Sequence, residues 1–339
     1  MTWLVTSARY TLLTAITLAA GPLGVGASSV AAQSAPNTVV LLPAPDIPGI
    51  IQGGTLPEIV VRGLRSSDDP LWLPNIGLVF SDSQSNRVAR LDANGQVTTF
   101  VGDLHGPLGM TFDRKGRLIS LQTQAGFRGP RIVWPPGTEA TVADNFEGTP
   151  FGRPNDIVSD ATGGVYFSDL PMPPLAPGTM APAVYYVRPG GAPIRVAENI
   201  GRPNGLQLSR DEKTLYVNDT AGINIHAFDV LPDGRLANRR VFANYVGRDA
   251  SVAANDPPRS NADGLVVDED GRLYGLTEAG IEVVSPRGQH VGVIPVWCIT
   301  RRCQNLTFGG PDKRTLYVAG GGTLLRIQML ARGFGDRVK

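Results

Sequence analysis

Two stretches of this 339-residue chain place the same four residues before a short apolar run: Gly-Arg-Pro-Asn at 152–155, in GRPNDIVSD, and again at 201–204, in GRPNGLQLS. An asparagine side chain offers a neutral oxygen to a cation or a substrate, and an arginine offers a planar fork of donors to a carboxylate or ester oxygen. Acids occupy comparable settings at Asp68 and Asp69, in SSDDPLWL, and at Asp263, in NADGLVVD. Two carboxylates with two amide oxygens make a hard oxygen-donor set, suited to Ca²⁺, Mg²⁺ or Mn²⁺ and unsuited to a soft-metal site. Such chemistry requires that segments far apart in sequence meet at one place.

The elements that bring them together repeat along the chain. Short turns at PNIG (74–77), DRKG (113–116), DATG (160–163), SRDEK (209–213), DEDG (268–271) and GPDK (310–313) each follow a short apolar run and precede a β-rich one, such as VYFSD or TLYVND. Asp, Gly and Asn suit these turns because they accept positive φ or bond their own backbone. Each hairpin is followed by a second strand pair, for example RVARLDANGQVTTFV. A repeat of this length belongs to propellers and solenoids. The expected fold is therefore all-β, a six-bladed β-propeller with four antiparallel strands per blade.

The last unit runs out after TLLRIQM, one strand short, so EIVVRGL (58–64) is expected to close the ring as its outer strand and remove a raw sheet edge. In a propeller the first strand of every blade lines the channel, and the loop entering it lies at one mouth. The pairs Asp68-Asp69, Leu108-Gly109, Asn155-Asp156, Asn204-Gly205, Asp263-Gly264 and Gln304-Asn305 then become neighbours around a ring. This register nominates Asn155, Asn204 and Asp263 as ligands of one divalent cation, with Asp68 or Asp69 from the first blade.

Composition narrows the remaining choices. Residues 1–32 hold no acid and one base, Arg9, with an apolar stretch at 11–20 and small residues ending Val30-Ala31-Ala32, which reads as an export signal cleaved near Gln33. The expected organisation is signal 1–32, a Pro/Gly-rich leader 33–57, propeller 58–330 and tail 331–339, in an exported monomer, periplasmic or extracellular. With 31 basic and 30 acidic residues overall, nothing favours nucleic acid or a membrane surface as partner. The two cysteines, Cys298 and Cys303 in WCITRRC, are expected to form a disulfide in an oxidising compartment. Three scattered histidines exclude a histidine-built zinc centre, and no Gly-x-Ser-x-Gly elbow occurs.

Taken in order, RPNDIVSDATGGVYFSD, RPNGLQLSRDEKTLYVNDT, ADGLVVDEDGRLYGLTEAGIEVVSPRG and LTFGGPDKRTLYVAGG resemble the gluconolactonase, regucalcin and senescence-marker-protein family of six-bladed, metal-dependent lactonases, over residues 58–327. The resemblance implies that Asn204 and Asp263 hold the metal, that Asn155 serves metal or substrate, and that Arg153 contacts substrate oxygens. The family's first-blade Glu, in Glu-x-Pro-x-Trp, is matched by Asp68 in DDPLW, a side chain shorter by one methylene. The implied activity is hydrolysis of a lactone with Asp263 orienting or deprotonating the attacking water. The implied cofactor is one divalent cation, Ca²⁺ first, with Mg²⁺, Mn²⁺, Zn²⁺ or Fe²⁺ admitted. Two other readings use the same fold: a strictosidine-synthase-like condensing propeller, and an exported binding propeller whose ion is structural. Arg202 reads as a rim charge, and the proline-rich stretch 170–183 either as cover for the mouth or as a plain connection.

Overall fold

The structure, a computed structural model, describes residues 41–172, 174–298 and 303–335. The segment read as an export signal lies outside the described residues, as do 33–40 of the leader and 336–339 of the tail. Among the described residues, regular structure consists of β-strands and one short 3-10 turn, Ser83–Ser85. Six four-stranded antiparallel sheets form the blades, and a two-stranded hairpin, Asn145–Phe146 with Thr149–Pro150, is attached to the connection between blades 2 and 3. The innermost strands are Asp68–Leu73, Pro107–Phe112, Pro154–Ser159, Pro203–Leu208, Leu265–Val267 and Asn305–Gly309, each touching the next around the ring. Blade 3 shows the plan in full, passing outward from Pro154–Ser159 through Val165–Asp169 and Ala183–Val187 to Ile194–Ala197.

Blade strands are buried on both faces, so their sequences read as nearly continuous apolar runs, while the period of two sends alternate residues to opposite neighbours. In blade 3, Val165, Phe167 and Tyr185 pack with Ile119, Leu121 and Ile132 of blade 2. Their strand neighbours Tyr166, Val184 and Tyr186 pack the other way, with Leu206, Leu215 and Val217 of blade 4. The same division recurs between every adjacent pair of blades, giving an apolar layer at each of the six interfaces.

Blade 6 takes its outer strand from the N-terminal side of blade 1, as expected, although the strand is shorter than the stretch 58–64. Glu58–Val61 runs antiparallel to Thr323–Gln328. Both Glu58 carboxylate oxygens accept from Arg326, each at 2.8 Å. Leu64 N then donates to Gly322 O at 3.1 Å.

The leader does more than reach this strand. Ile47, Ile50 and Ile51 are buried in the layer between blades 5 and 6 with Ile294, Phe308 and Ile327. Ile50 O accepts from both Leu330 N and Ala331 N. The described part of the tail is likewise tied down, by an isolated bridge between Asp268 and Gly333. The described parts of leader and tail thus lie against blades 5 and 6, where the ring is closed.

Ile51 is fully buried, and truncating such a side chain in a packed layer removes about 2–5 kcal/mol. Ile51→Ala is expected to lower the thermal midpoint in proportion. A melting curve that does not move would show that the leader contributes nothing to the fold.

Candidate active site

The repeated Gly-Arg-Pro-Asn phrase is held in the same way in both blades. At the end of the second strand of blade 3, the Asp169 carboxylate accepts from Gly152 N (2.8 Å) and Arg153 N (2.5 Å). In blade 4, Asp219 accepts from Gly201 N (3.2 Å) and Arg202 N (2.9 Å). Burial pushes the Asp169 carboxyl above its ordinary range, against the pull of those two N–H groups and of the Arg128 and Arg195 charges. Pro154 and Pro203 follow, each opening its inner strand, where a residue without an N–H costs no ladder bond.

After each proline the inner strand bulges. The register shifts between Pro154 and Ile157 and between Pro203 and Leu206, and likewise between Asp68 and Leu71 and between Pro107 and Met110. A bulge re-aims side chains at a strand end, and here it frees Asn155 and Asn204 from the ladder. It also brings adjacent blades into close contact. Asp156 Oδ2 accepts from Leu206 N of blade 4 at 3.0 Å, and Asp69 Oδ2 accepts from Met110 N of blade 2. Gly109 and Gly205 are required at this contact, since a Cβ there would lie 2.4 Å from Asn155 O and 2.2 Å from Asp263 O.

A cavity of about 590 Å³ opens at this mouth, lined among others by Arg153, Asn155, Arg202, Asn204, Asp263 and Glu278. Four sequence-nominated residues, Arg153, Asn155, Asn204 and Asp263, therefore line one chamber. Asp68 does not line it; its Oδ2 accepts from the Nε2 of Gln304, which does. Asp69 is fully buried, with its carboxylate turned to the blade 2 amide. Arg202, read as a rim charge, lines the chamber and donates to Met172 Sδ at 3.0 Å. Leu170 and Met172, from the proline-rich stretch, also line it. Cys298 and Cys303 form the expected disulfide, in the connection from blade 5 to blade 6.

The orientation of the Asn204 amide is settled by its neighbours. Thr220 Oγ1 donates to Ala262 O at 2.6 Å, and a carbonyl can only accept, so Thr220 must accept from Asn204 Nδ2, 3.0 Å away. Among the described residues, Asn204 Oδ1 is buried and has no hydrogen-bond partner. An orphaned buried carbonyl oxygen costs about 1–3 kcal/mol unless something in the site engages it. Asp263 is fixed through its backbone: N donates to Leu276 O at 2.9 Å, and O accepts from Asn218 Nδ2 at 2.7 Å. Asn218 is itself held by the hydroxyl of the buried Tyr245, whose pKa is driven well up by desolvation.

Gln304, placed on the ring by the repeat register, also lines the cavity, as do Thr220, Asn261 and Glu278, which were not singled out in the sequence. Leu170, Thr220 and Glu278 are equivalent positions, each just past the second strand of its blade, with N–H groups donating to Arg153 O, Arg202 O and Ser260 O. Alignment of the strand ends VYFSD, TLYVND and RLYGLTE would have found them. Asn261, at a φ of 50°, donates from Nδ2 to Glu278 Oε1 (2.6 Å) and Asp249 Oδ2 (2.9 Å). The Asp249 carboxyl is held below its ordinary range by the Ser251 hydroxyl first, then by the Asn261 amide.

The donor set presented to a cation is oxygen throughout, from Asn155, Asn204 and Asp263, and the unpartnered Asn204 oxygen fits a divalent ion. The SMP-30/Gluconolactonase/LRE-like region is matched over residues 67–321, from the entry to blade 1 through the second strand of blade 6. The chain belongs to that family. Every residue named above as lining the cavity falls within the matched span. Among family relatives, the gluconolactonase of Zymomonas mobilis is 25% identical over 314 residues, covering 84% of both chains. Chicken (Gallus gallus) regucalcin is 26% identical over 281 residues, covering 79% of this chain and 87% of regucalcin. A solved gluconolactonase from Xanthomonas campestris superimposes with a TM-score of 0.70 at 27% identity, over 86% of this chain and 98% of that one.

Thr220→Val, which keeps the shape but loses the acceptor, leaves Asn204 Nδ2 unpaired and is expected to cost about 1–3 kcal/mol of unfolding free energy. Thr220→Ser should restore most of it. Equal denaturant midpoints for the valine variant and wild type would show that the threonine does not hold the amide.

Proposed function

We propose that the protein is an exported hydrolase that opens lactones in the cavity between blades 3, 4 and 5. The observation that carries this reading is the Asn204 oxygen, oriented by Thr220 and left unpartnered, in one chamber with the Asp263 carboxylate and Arg153. A divalent cation, Ca²⁺ foremost, would be held by Asn155, Asn204 and Asp263, with the first-blade acid Asp68 set behind Gln304, the chamber residue whose amide it accepts from. When bound, such an ion supplies Lewis acidity toward the ester carbonyl and lowers the pKa of a water.

The residues of the chain provide the rest. Arg153 presents its guanidinium to the ring oxygens and stabilises negative charge developing on the carbonyl oxygen. Asp263, its backbone clamped at both N and O, holds its carboxylate where it orients the attacking water and accepts its proton. Attack at the carbonyl carbon breaks the ring C–O bond, and the proton passes to the departing alkoxide, so one lactone and one water give one hydroxy acid. Family membership and the gluconolactonase relatives support this reaction class. The Cys298–Cys303 disulfide supports export, because such bonds persist in oxidising compartments.

The test is ring opening followed with a pH indicator on a panel of sugar and aliphatic lactones, before and after chelation and on adding back single divalent ions. Turnover is expected to vanish with chelator, to return with one ion, and to fall by about two orders of magnitude or more in Asp263→Asn. Turnover that survives chelation, or a folded and metal-loaded protein that opens no lactone, would falsify the proposal; the second outcome leaves a structural ion in a binding propeller.

A further inference from the structure

The cavity continues past Arg153. On its blade 3 side it adjoins a second hollow of about 370 Å³, walled in part by the proline-rich connection through Pro171, Pro174 and Ala176. Arg153 and Met172 line both spaces. Among the described residues, the charged ones lining the hollow are two arginines, Arg128 and Arg153, and no acid lines it. Among the described residues, the Arg128 guanidinium donates to two main-chain carbonyls, from Nε to Thr123 O at 3.3 Å and from Nη1 to Phe151 O at 3.4 Å, both long. Asp169 feels the Arg128 charge, but it lies beneath the loop with its oxygens accepting from Gly152 N and Arg153 N.

Charge is therefore separated across the site. Asp263 and Glu278 stand on blade 5, Arg202 and Arg153 on the entries to blades 4 and 3, and Arg128 beyond them. The main chamber alone, at about 590 Å³, lies in the range that takes drug-sized ligands. A single lactone ring bound near Asp263 leaves the arginine-lined hollow for another part of the substrate. Guanidinium pairs of this kind select planar carboxylates and phosphates.

We infer that the substrate carries, beyond its reacting ring, an anionic substituent, a carboxylate or a phosphate, which the hollow receives between Arg128 and Arg153. This rests on the lactone reading above. Arg128 is then a specificity-determining residue. It acts on the remote end of the substrate while the ring opens elsewhere.

The experiment compares kcat/KM for gluconolactone, its terminal phosphate ester and glucarolactone, with the metal-loaded protein. An anionic lactone is expected to exceed the neutral one by about tenfold or more, the scale of one hydrogen bond to a charged group; whichever of the two leads identifies the anion as phosphate or carboxylate. The preference should collapse toward unity in Arg128→Gln, survive in part in Arg128→Lys, and shrink with added salt. Ala176→Asp, on the exposed wall of the hollow, should reduce it by repulsion without altering either arginine. Calorimetry with the ring-opened acids reads the same preference without turnover. Equal use of neutral and anionic lactones, or an Arg128→Gln variant that loses both alike, overturns the inference. If no lactone is opened but the phosphorylated or dicarboxylic acid still binds in an Arg128-dependent way, the lactone reading fails and the anion site stands. If the anionic acids bind no better than gluconate, the anion site fails.

Discussion

Everything in this molecule depends on one sheet edge being covered. Without Glu58–Val61, blade 6 would present Thr323–Gln328 as an open strand, and its N–H and C=O groups would invite pairing with another chain. With the strand in place, and with Ile47, Ile50 and Ile51 packed into the neighbouring layer, each blade has an apolar neighbour on both sides. That condition is what lets Tyr166 and Phe167 face opposite ways on one strand and both be buried.

A closed ring makes strand ends functional. The innermost strands all enter from one mouth, so the residues at their starts and those just after the second strands form two tiers around one opening. The first tier supplies Asn155, Asn204 and Asp263; the second supplies Leu170, Thr220 and Glu278. Bulges in the inner strands separate two duties that adjacent residues perform. Asn155 turns to the chamber while Asp156 ties blade 3 to blade 4, and Asp68 reaches Gln304 while Asp69 ties blade 1 to blade 2.

The propeller and much of its mouth were legible in the sequence because both are periodic. Turn residues recur between apolar runs, and the missing strand was a matter of counting to four. Two members of the first tier, Asn155 and Asn204, showed themselves in a repeated phrase. The second did not, because Leu170, Thr220 and Glu278 share a position but no residue type. The choice between Asp68 and Asp69 was not readable either, since a bulge shifts facing by one residue and leaves no mark in composition. Nor was the leader's role: three isoleucines among prolines and glycines carry no strand period, and their burial depends on a groove that exists only when blades 5 and 6 have met. The hollow beside Arg128 is built by a loop with no repeat partner, which is why periodicity passed over it.

The closing strand also carries information about time. Glu58 and Arg326, joined by two hydrogen bonds, stand 268 residues apart in the chain. A polypeptide made from its N-terminus exposes the first of these strands long before its partner exists. Blades 1 to 5 can form from nearby hairpins, whereas the seam must wait for the last blade, so the slowest contact is the one that seals the ring. Until then the early strand and the isoleucine leader are adhesive segments without a home, and whatever carries or shelters the nascent chain must keep them apart from other copies until the circle is complete.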